Sequence, residues 1–278
     1  MPELVEVEVY RRLAEAVVGR RIAEVIAPDA WYLKRGLTAE GAADALIGCT
    51  ISAARRTGKL LLLDTDGPAR AGGPGGPSTA LGPGGPVVGL RFGMSGRLLV
   101  DGKAAVDNLM YASNREEEKW DRFGLRFAPP HGGDLRMRDS RRLGGAELDP
   151  PEARLGPDAL TVTPAALAQA LRSVAPLKAR LMDQSRLAGV GNLAADEALW
   201  RAGLDPTRPA GSLTPQEQRR LHRHLRATMA DLLARGGSHL GDLMPERRPG
   251  GVCPKDGTPL VRRTVGGRTT WSCPRHQA

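Results

Sequence analysis

The chain has 278 residues, a length that predicts two domains, each able to bury a core. Lys and Arg number 40 against 31 Asp and Glu, a formal net charge of +9 with a sequence pI of about 10.1; such a basic surplus favours a polyanionic partner, nucleic acid first, although a composition rich in Arg, Gly, Ala and Pro raises the arginine count by itself. Three widely spread cysteines (Cys49, Cys253 and Cys273) argue against a secreted disulfide framework, no apolar run approaches the roughly 20 residues of a membrane span, and the acidic amphipathic N-terminus does not read as a signal peptide, so the expectation is a soluble intracellular protein.

The chain opens Met1-Pro2-Glu3-Leu4-Val5-Glu6-Val7-Glu8-Val9. Trimming of the initiator methionine before a small residue would leave Pro2 with a free secondary amine, a nucleophile toward carbonyl-like carbon. Glu3 beside it is a candidate acid/base. Proline at a first helical position is also an ordinary helix start, and the stretch alone leaves both readings open. Leu4, Val7, Tyr10, Leu13, Ala14 and Val17 recur at helical spacing and predict an amphipathic helix that stops at Gly19.

Short strand-like runs follow at Arg21 to Ile26, Thr50 to Arg56 and Lys59 to Asp64, with a helix over Thr38 to Leu46. Lys59 stands at the front of a buried-looking strand, where a lysine is ordinarily a solvated edge charge. Residues 67–86 are mostly Gly, Pro and Ala and are expected to be a disordered insertion between two strands. Val87 to Phe92 resumes the sheet, Gly93-Met94-Ser95-Gly96-Arg97 is a tight turn, and Leu98 to Val100, Asp121 to Phe127 and Asp134 to Met137 are further strands. Many short strands with Gly-rich turns predict a β-sandwich or barrel. Arg136, Arg138, Arg141 and Arg142 cluster near Asp139, in a pattern that fits a solvated face as well as a binding site.

A boundary at Asp149-Pro150-Pro151 opens a helical region: Pro164 to Ser173, Leu177 to Gln184, and a helix through Asp196 and Trp200 that starts at Gly189-Val190-Gly191-Asn192. A Gly-x-Gly-Asn turn opening a helix presents backbone N–H groups and suits a phosphate. Thr214-Pro215-Gln216-Glu217 is a capping box for a helix running to Arg235 and closed by Gly236-Gly237. In the tail, Cys253-Pro254-Lys255-Asp256 and Cys273-Pro274-Arg275-His276 each place two potential ligands three residues apart around a strand-turn-strand. This is zinc-ribbon spacing with Asp and His in place of two cysteines, a donor set zinc accepts. A hairpin held by packing alone is the other reading, but about 25 residues with Trp271 as the main large apolar group call for a staple.

In order along the chain stand Pro2-Glu3-Leu4 with Glu6-Val7-Glu8, Arg55-Arg56-Thr57-Gly58-Lys59, Gly93-Met94-Ser95-Gly96, Asp139-Ser140-Arg141-Arg142-Leu143-Gly144, Leu155-Gly156-Pro157, Lys178-Ala179-Arg180-Leu181-Met182-Asp183, Gly189-Val190-Gly191-Asn192 and the terminal finger. With these the chain resembles, over nearly its whole length, the family of bifunctional DNA glycosylases that includes formamidopyrimidine-DNA glycosylase and endonuclease VIII. The resemblance implies an α+β multidomain fold. An N-terminal helix on a two-sheet β-sandwich would take residues 1–150, a helix-two-turns-helix DNA-binding domain 151–245, and a zinc-ribbon β-hairpin 246–278.

The resemblance also implies roles. Pro2 would attack C1′ of a damaged nucleotide flipped out of the duplex, expel the base and leave an iminium, after which β- and δ-elimination cut the strand. Glu3 would protonate the opening deoxyribose, Glu6 would support this site one turn on, and Lys59 would contact phosphate and assist. Flipping costs a few kcal/mol of unstacking, and Met94, Arg141 and Leu143 would fill the gap, Arg141 facing the orphaned base. Lys178, Asn192, Arg142 and Arg268 would hold phosphates, contacts that position a duplex without reading sequence. Cys253, Asp256, Cys273 and His276 would hold one structural zinc. The implied partner is double-stranded DNA with a damaged base or abasic site, met by a monomer in a bacterial cytoplasm.

Four departures from the family pattern stand out. Val5 replaces a second proline, Leu143 replaces a phenylalanine, and Asp256 and His276 replace two cysteines. The largest is the segment between Gly237 and Cys253, only about 15 residues where the family has a longer stretch that in part covers the extruded base. A shortened cover predicts a more open base pocket, tolerance of oxidised pyrimidines or bulky alkylated purines, and poor discrimination of 8-oxoguanine. Two other readings remain: a catalytically silent DNA-binding protein on the same scaffold, against which the joint presence of Pro2, Glu3 and Lys59 speaks, and an RNA-binding zinc-ribbon protein, which does not account for the N-terminus.

Overall fold

Four apolar positions on the inner stripe of the first helix, α1 (Leu4–Ala14), are fully enclosed: Leu4, Val7, Tyr10 and Ala14 are each 0% exposed in the computed structural model, and Leu13 is half-buried beside them. The structure describes residues 2–67, 84–106, 109, 113 and 115–277. Most of the Gly/Pro-rich insertion, residues 68–83, lies outside the described residues. The chain divides into two compact units. Unit 1 takes Pro2 and Val7–Pro151; unit 2 takes Glu3–Glu6 and Glu152–Ala278.

Unit 1 carries two antiparallel sheets. One has the order β1 (Ile22–Ile26), β7 (Asp121–Phe127), β8 (Asp134–Arg138), β5 (Arg97–Val100), β6 (Lys103–Ala104). The other runs β2 (Thr50–Thr57), β3 (Leu60–Asp66), β4 (Val88–Arg91), β9 (Gly145–Leu148). A short helix, α2 (Ala39–Leu46), is capped by the Thr38 hydroxyl on Gly41 N–H. Both sheets feed one core. Ile51, Leu61, Leu63 and Leu90 from one meet Leu98, Phe123, Leu125 and Met137 from the other, with Val7 and Tyr10 of α1 among them. Burial of a side chain of this size is worth ~1.5–3 kcal/mol, so alternation along the strands fixes their register. The Tyr10 and Phe92 rings stack at 4.5 Å between centroids. Strand β9 has no counterpart in the sequence reading. Gly145-Ala146-Glu147-Leu148 lacks β-branched and aromatic residues, and it is made a strand by its pairing with β4, Ala146 opposite Leu90.

Unit 2 is helical up to its tail. It holds α3 (Pro164–Ala170), α4 (Leu177–Leu181), α5 (Asn192–Ala202) and α6 (Pro215–Arg235), then a hairpin of β10 (Val261–Val265) and β11 (Arg268–Ser272). The Thr214–Glu217 capping box is formed in both directions, and α6 closes on Gly236 in the left-handed region. Leu167, Leu177, Leu181, Leu199, Leu221, Leu225, Met229 and Leu232 make its core, joined by Leu4 and Val5. Under the hairpin, Trp200, Leu243, Leu260 and Trp271 pack with Cys253 and Cys273. Helix α4 is shorter than its apolar pattern predicts. The Asp183 carboxylate accepts from Ser185 N–H at 3.0 Å, and this local bond turns the chain out of the helix before Gln184. Among the described residues no helix is long and apolar enough to cross a membrane.

Candidate active site and metal centre

Pro2 is buried, and Lys59 is half-buried in the two-residue turn between β2 and β3. Gly58, the first turn residue, has φ +59°. The turn is tied down by Arg56, which donates to Gly58 O at 2.9 Å and to the Glu8 carboxylate of α1 at 3.1 Å. Burial, the largest single influence on the Glu8 carboxyl, pushes it up, and hydrogen bonds from Arg11 and Arg56 together hold it below its ordinary value. The residue before Lys59 is therefore anchored through an ion pair to the first helix.

Met94 and the stretch Arg141–Leu143 come from turns 47 residues apart in sequence, and the fold brings them together (141 − 94 = 47). A side chain at Gly93 would collide with the Leu143 carbonyl. Leu143 is 49% exposed, a large apolar side chain held out of the core. Arg142 has φ +56°, a conformation that costs a non-glycine residue of order 1–3 kcal/mol. Its guanidinium is held bidentate on Asp29 at 2.7 and 2.6 Å, with the side chain still 48% exposed.

In unit 2, Glu3 is 1% exposed. Its carboxylate accepts from Leu193 N–H at 2.8 Å and from Ala194 N–H at 3.1 Å, two otherwise unsatisfied donors at the start of α5. The positive end of the helix dipole adds to that anchoring. Gly191 is obligatory here because a β-carbon would strike the Glu3 carboxyl. The Gly-x-Gly-Asn turn, expected to serve a phosphate, thus presents these two N–H groups to a carboxylate of the chain itself. Asn192 opens the helix with a buried Oδ1 that has no partner among the described residues. Glu6, also 1% exposed, accepts from Glu3 N–H at 2.8 Å with one oxygen. With the other it accepts from Ser238 N–H at 2.6 Å and Ser238 Oγ at 2.7 Å. Glu3, Glu6 and the start of α5 are therefore brought together.

Lys178 is not at the surface. It is 0% exposed, with Nζ 2.7 Å from Asp196 Oδ1, 2.8 Å from Thr270 Oγ1 and 3.1 Å from Thr269 O. Arg247 meets the second Asp196 oxygen at 2.8 Å, its own side chain 7% exposed. Burial pushes the Asp196 carboxyl up and the Lys178 ammonium down from their ordinary values. Arg268, at the tip of the hairpin, is exposed. The segment after α6 is pinned, not loose: Glu197 of α5 accepts from Asp242 and Leu243 N–H, Leu243 is buried, and Arg247 is held on Asp196.

Cys253, Asp256, Cys273 and His276 form one group whose ligand atoms all lie within 4.8 Å of one another. Both cysteines are 1% exposed. Trp200 Nε1 donates to Cys253 Sγ at 3.3 Å. His276 Nε2 lies 2.9 Å from Trp200 O, which can only accept, so Nε2 carries the proton and Nδ1, 3.3 Å from Cys253 Sγ, is the nitrogen left free to ligate a metal ion. Hydrogen bonding from Thr258, through its backbone first, brings the Asp256 carboxyl down to about 2, so it stands ionised as a ligand must. Two thiols, an imidazole and a carboxylate make a donor set able to hold a metal ion.

Sequence reasoning missed Asp139, Asp29, Asp196, Ser238 and Arg247, which hold functional candidates in place rather than being candidates. Only Asp139 carried a signal, lying in the Asp-Ser-Arg-Arg-Leu-Gly stretch.

Comparison with known proteins gives full-length matches. The family described as formamidopyrimidine-DNA glycosylase N-terminal domain matches residues 1–146, and that described as formamidopyrimidine-DNA glycosylase H2TH domain matches residues 155–242. The formamidopyrimidine-DNA glycosylase of Parafrankia sp. is 36% identical over a 304-residue alignment that covers 100% of this chain and 98% of that protein. The crystal structure of the MutM (Fpg) protein of Thermus thermophilus superposes with a TM-score of 0.75 at 31% identity, covering 99% of this chain and 98% of that one. The Lactococcus lactis enzyme, crystallised non-covalently bound to DNA containing an AP site, shares the fold with a TM-score of 0.76 at 24% identity over 99% of both chains.

Proposed function

The chain belongs to the formamidopyrimidine-DNA glycosylase family, and from that membership we propose that it is a DNA repair glycosylase that also cleaves the strand at apurinic or apyrimidinic sites. Its substrate is double-stranded DNA carrying a damaged base or an abasic site. The single observation that carries the reading is Glu3: directly after Pro2, its carboxylate is fixed on two N–H donors of α5 and its backbone N–H on Glu6. A carboxylate so held keeps one orientation, which is what an acid/base group next in sequence to an N-terminal amine requires.

In this reading the Pro2 nitrogen attacks C1′ and the glycosidic bond breaks. The departing base takes up the proton that the Pro2 amine sheds while Glu3, protonated, gives its own to the ring oxygen, leaving a ring-opened iminium. The iminium acidifies the adjacent C2′–H, and successive eliminations release the 3′ and then the 5′ phosphate. Lys59, on its anchored turn, contacts phosphate. Met94, Arg141 and Leu143 fill the space left by the flipped nucleotide. Asn192, Arg142 and Arg268 hold phosphates; Lys178 leaves that set, because its ammonium is engaged inside unit 2.

The four-residue group in the tail holds one structural zinc, fixing the hairpin that presents Arg268. The three-part division at 150/151 and 245/246 remains the working division of the chain, and the protein acts as a monomer in a bacterial cytoplasm. The short segment between Gly237 and Cys253 leaves the base pocket less covered, so excision extends to oxidised pyrimidines or bulky alkylated purines. Excision of 8-oxoguanine as good as that of every other lesion in a duplex panel would overturn this last point.

Borohydride trapping on abasic-site DNA tests the whole reading. A covalent adduct with the wild-type protein, lost in Pro2→Gly, is expected. Tight binding of the same DNA with no adduct would replace the enzyme with a silent damage-binding protein.

A further inference from the structure

Asp139 is a carboxylate at 0% exposure with no cation paired to it among the described residues. Burying an ion without a counter-charge is costly unless hydrogen bonds replace its water. Three donors do so here. Oδ1 accepts from Arg141 N–H at 3.1 Å and from the Ser95 hydroxyl, and Oδ2 accepts from Gly144 N–H at 2.8 Å. The backbone of Asp139 is fixed in turn, its N–H on Trp120 O at 2.8 Å and its carbonyl accepting from Arg122 Nε at 3.0 Å.

These donors belong to two different loops. Arg141 and Gly144 bracket the stretch that carries Arg141, Arg142 and Leu143. Ser95, 2% exposed, follows Met94 in the Gly93–Gly96 turn, which is itself closed by Gly96 N–H on Phe92 O at 2.8 Å. Gly93 leaves no room for a β-carbon against the Leu143 carbonyl, so the loops touch as well as share the carboxylate. An arginine, an exposed leucine and a methionine are thus held in mutual register by one anion that never meets solvent.

We propose that Asp139 is a positioning residue that locks the Met94 turn to the Arg141–Leu143 loop, so that the two enter the duplex as one rigid wedge. This rests on the reading of Met94, Arg141 and Leu143 as gap-filling residues. A wedge assembled from two independently moving loops would pay ordering entropy on each insertion; the shared carboxylate removes that cost before DNA is met. Ser95 carries the link between loops, while Arg141 N–H and Gly144 N–H shape one loop around it. Ser95→Ala therefore unlinks the loops and leaves the second loop's internal bonds intact. Asp139→Asn keeps shape but puts an N–H₂ opposite at least one of the donors.

One abasic oligonucleotide, used single-stranded and annealed to its complement, separates positioning from folding. Strand cleavage is the same chemistry in both, but only the duplex leaves a gap to fill. Ser95→Ala and Asp139→Asn are expected to slow cleavage of the duplex by about tenfold or more, the scale of a misplaced group, with single-strand cleavage and borohydride trapping within about twofold of wild type. Ser95→Ala added to Met94→Ala should cost clearly less than Ser95→Ala alone, because both act through the same wedge. Equal losses on both substrates, or full additivity with Met94→Ala, would overturn the proposal. If Met94→Ala and Arg141→Ala slow the duplex reaction while Ser95→Ala and Asp139→Asn do not, the wedge stands and the lock falls. If Met94→Ala and Arg141→Ala are themselves without effect on the duplex, it is the gap-filling reading that fails. Should Asp139→Asn not fold, Ser95→Ala decides alone.

Discussion

Lys178 and Asp196 meet at 2.7 Å with 0% and 1% of their side chains exposed, an ion pair from which water is excluded. Arg247 on the other Asp196 oxygen, Thr270 Oγ1 and Thr269 O complete its surroundings. Removing one partner of such a pair strands the other, at a cost of ~3–5 kcal/mol, while replacing both with apolar side chains of similar size costs far less. Asp196→Leu, which strands both Lys178 and Arg247, is therefore expected to destabilise strongly in urea titration; Lys178→Met should cost less, because Arg247 still pairs with Asp196, and the double variant should recover part of the Asp196→Leu loss. The double variant also checks the phosphate assignment: its slope of log binding constant against log salt should match wild type to well within the ~0.9 by which loss of one phosphate contact would lower it.

Glu6 holds two buried elements at once, the backbone N–H of Glu3 and both donors of Ser238. Glu6→Ala leaves these donors buried without an acceptor, at ~1–3 kcal/mol each. Excision should fall further than stability, because the freed Glu3 backbone loosens the residue beside the Pro2 amine. Ser238→Ala removes only the hydroxyl bond and is expected to cost about 1 kcal/mol with little change in turnover. Urea melts paired with single-turnover excision measure both; equal turnover in Glu6→Ala and Ser238→Ala would count against the role of Glu6 in orienting Glu3.

These contacts mark how far the sequence could be read. Elements with a strong local signal formed as expected: the stripe of α1, the leucine run of β3, the Thr214–Glu217 box. Strand β9 was invisible because its four residues have no β preference of their own and owe their state to β4. Lys178 was misplaced for a related reason. A lysine carries no sequence mark of burial, and the carboxylate that draws it inside, Asp196, lies 18 residues on (196 − 178 = 18), in a helix where it read as one more polar position. The N-terminal glutamates were legible as chemistry but not as architecture; that Glu3 caps α5 depends on a contact 190 residues away.

Metal removal should act on the tail first. Cys253, Asp256, Cys273 and His276 surround a space framed by Trp200, Leu243, Leu260 and Trp271, a small core for two short strands. Structural zinc contributes directly to folding free energy in modules of this size. Chelation, or Cys253→Ser, is expected to release about one zinc per chain, to lower the melting temperature, and to weaken DNA binding through loss of the hairpin that carries Arg268. Asp256→Cys should raise zinc affinity, since thiolate is the softer ligand. Metal analysis of the purified protein with a chelator-competition titration checks each point; unchanged melting after chelation would return the hairpin to packing alone.

Glu217 sets an acid limit on α6. Hydrogen bonds from Arg208 first, and then from the Thr214 backbone and hydroxyl, lower its carboxyl from the ordinary 4.5 to about 2. A carboxyl with a depressed folded-state value binds its proton more readily when unfolded, so it stabilises the fold fully above the unfolded value and loses that contribution as pH falls through the folded one. The window is therefore pH 4.5 down to about 2. Glu217→Gln keeps an acceptor for the cap but cannot ionise. Its melting temperature should lie below wild type at neutral pH by an amount that is constant down to about pH 4.5 and shrinks toward zero near pH 2. Arg208→Ala should show the same narrowing from the other side of the pair, because it removes the first cause of the shift. Melting curves of the three proteins across this range measure the gap; a gap that persists unchanged at the acid end would mean that the Glu217 charge does not hold the start of α6.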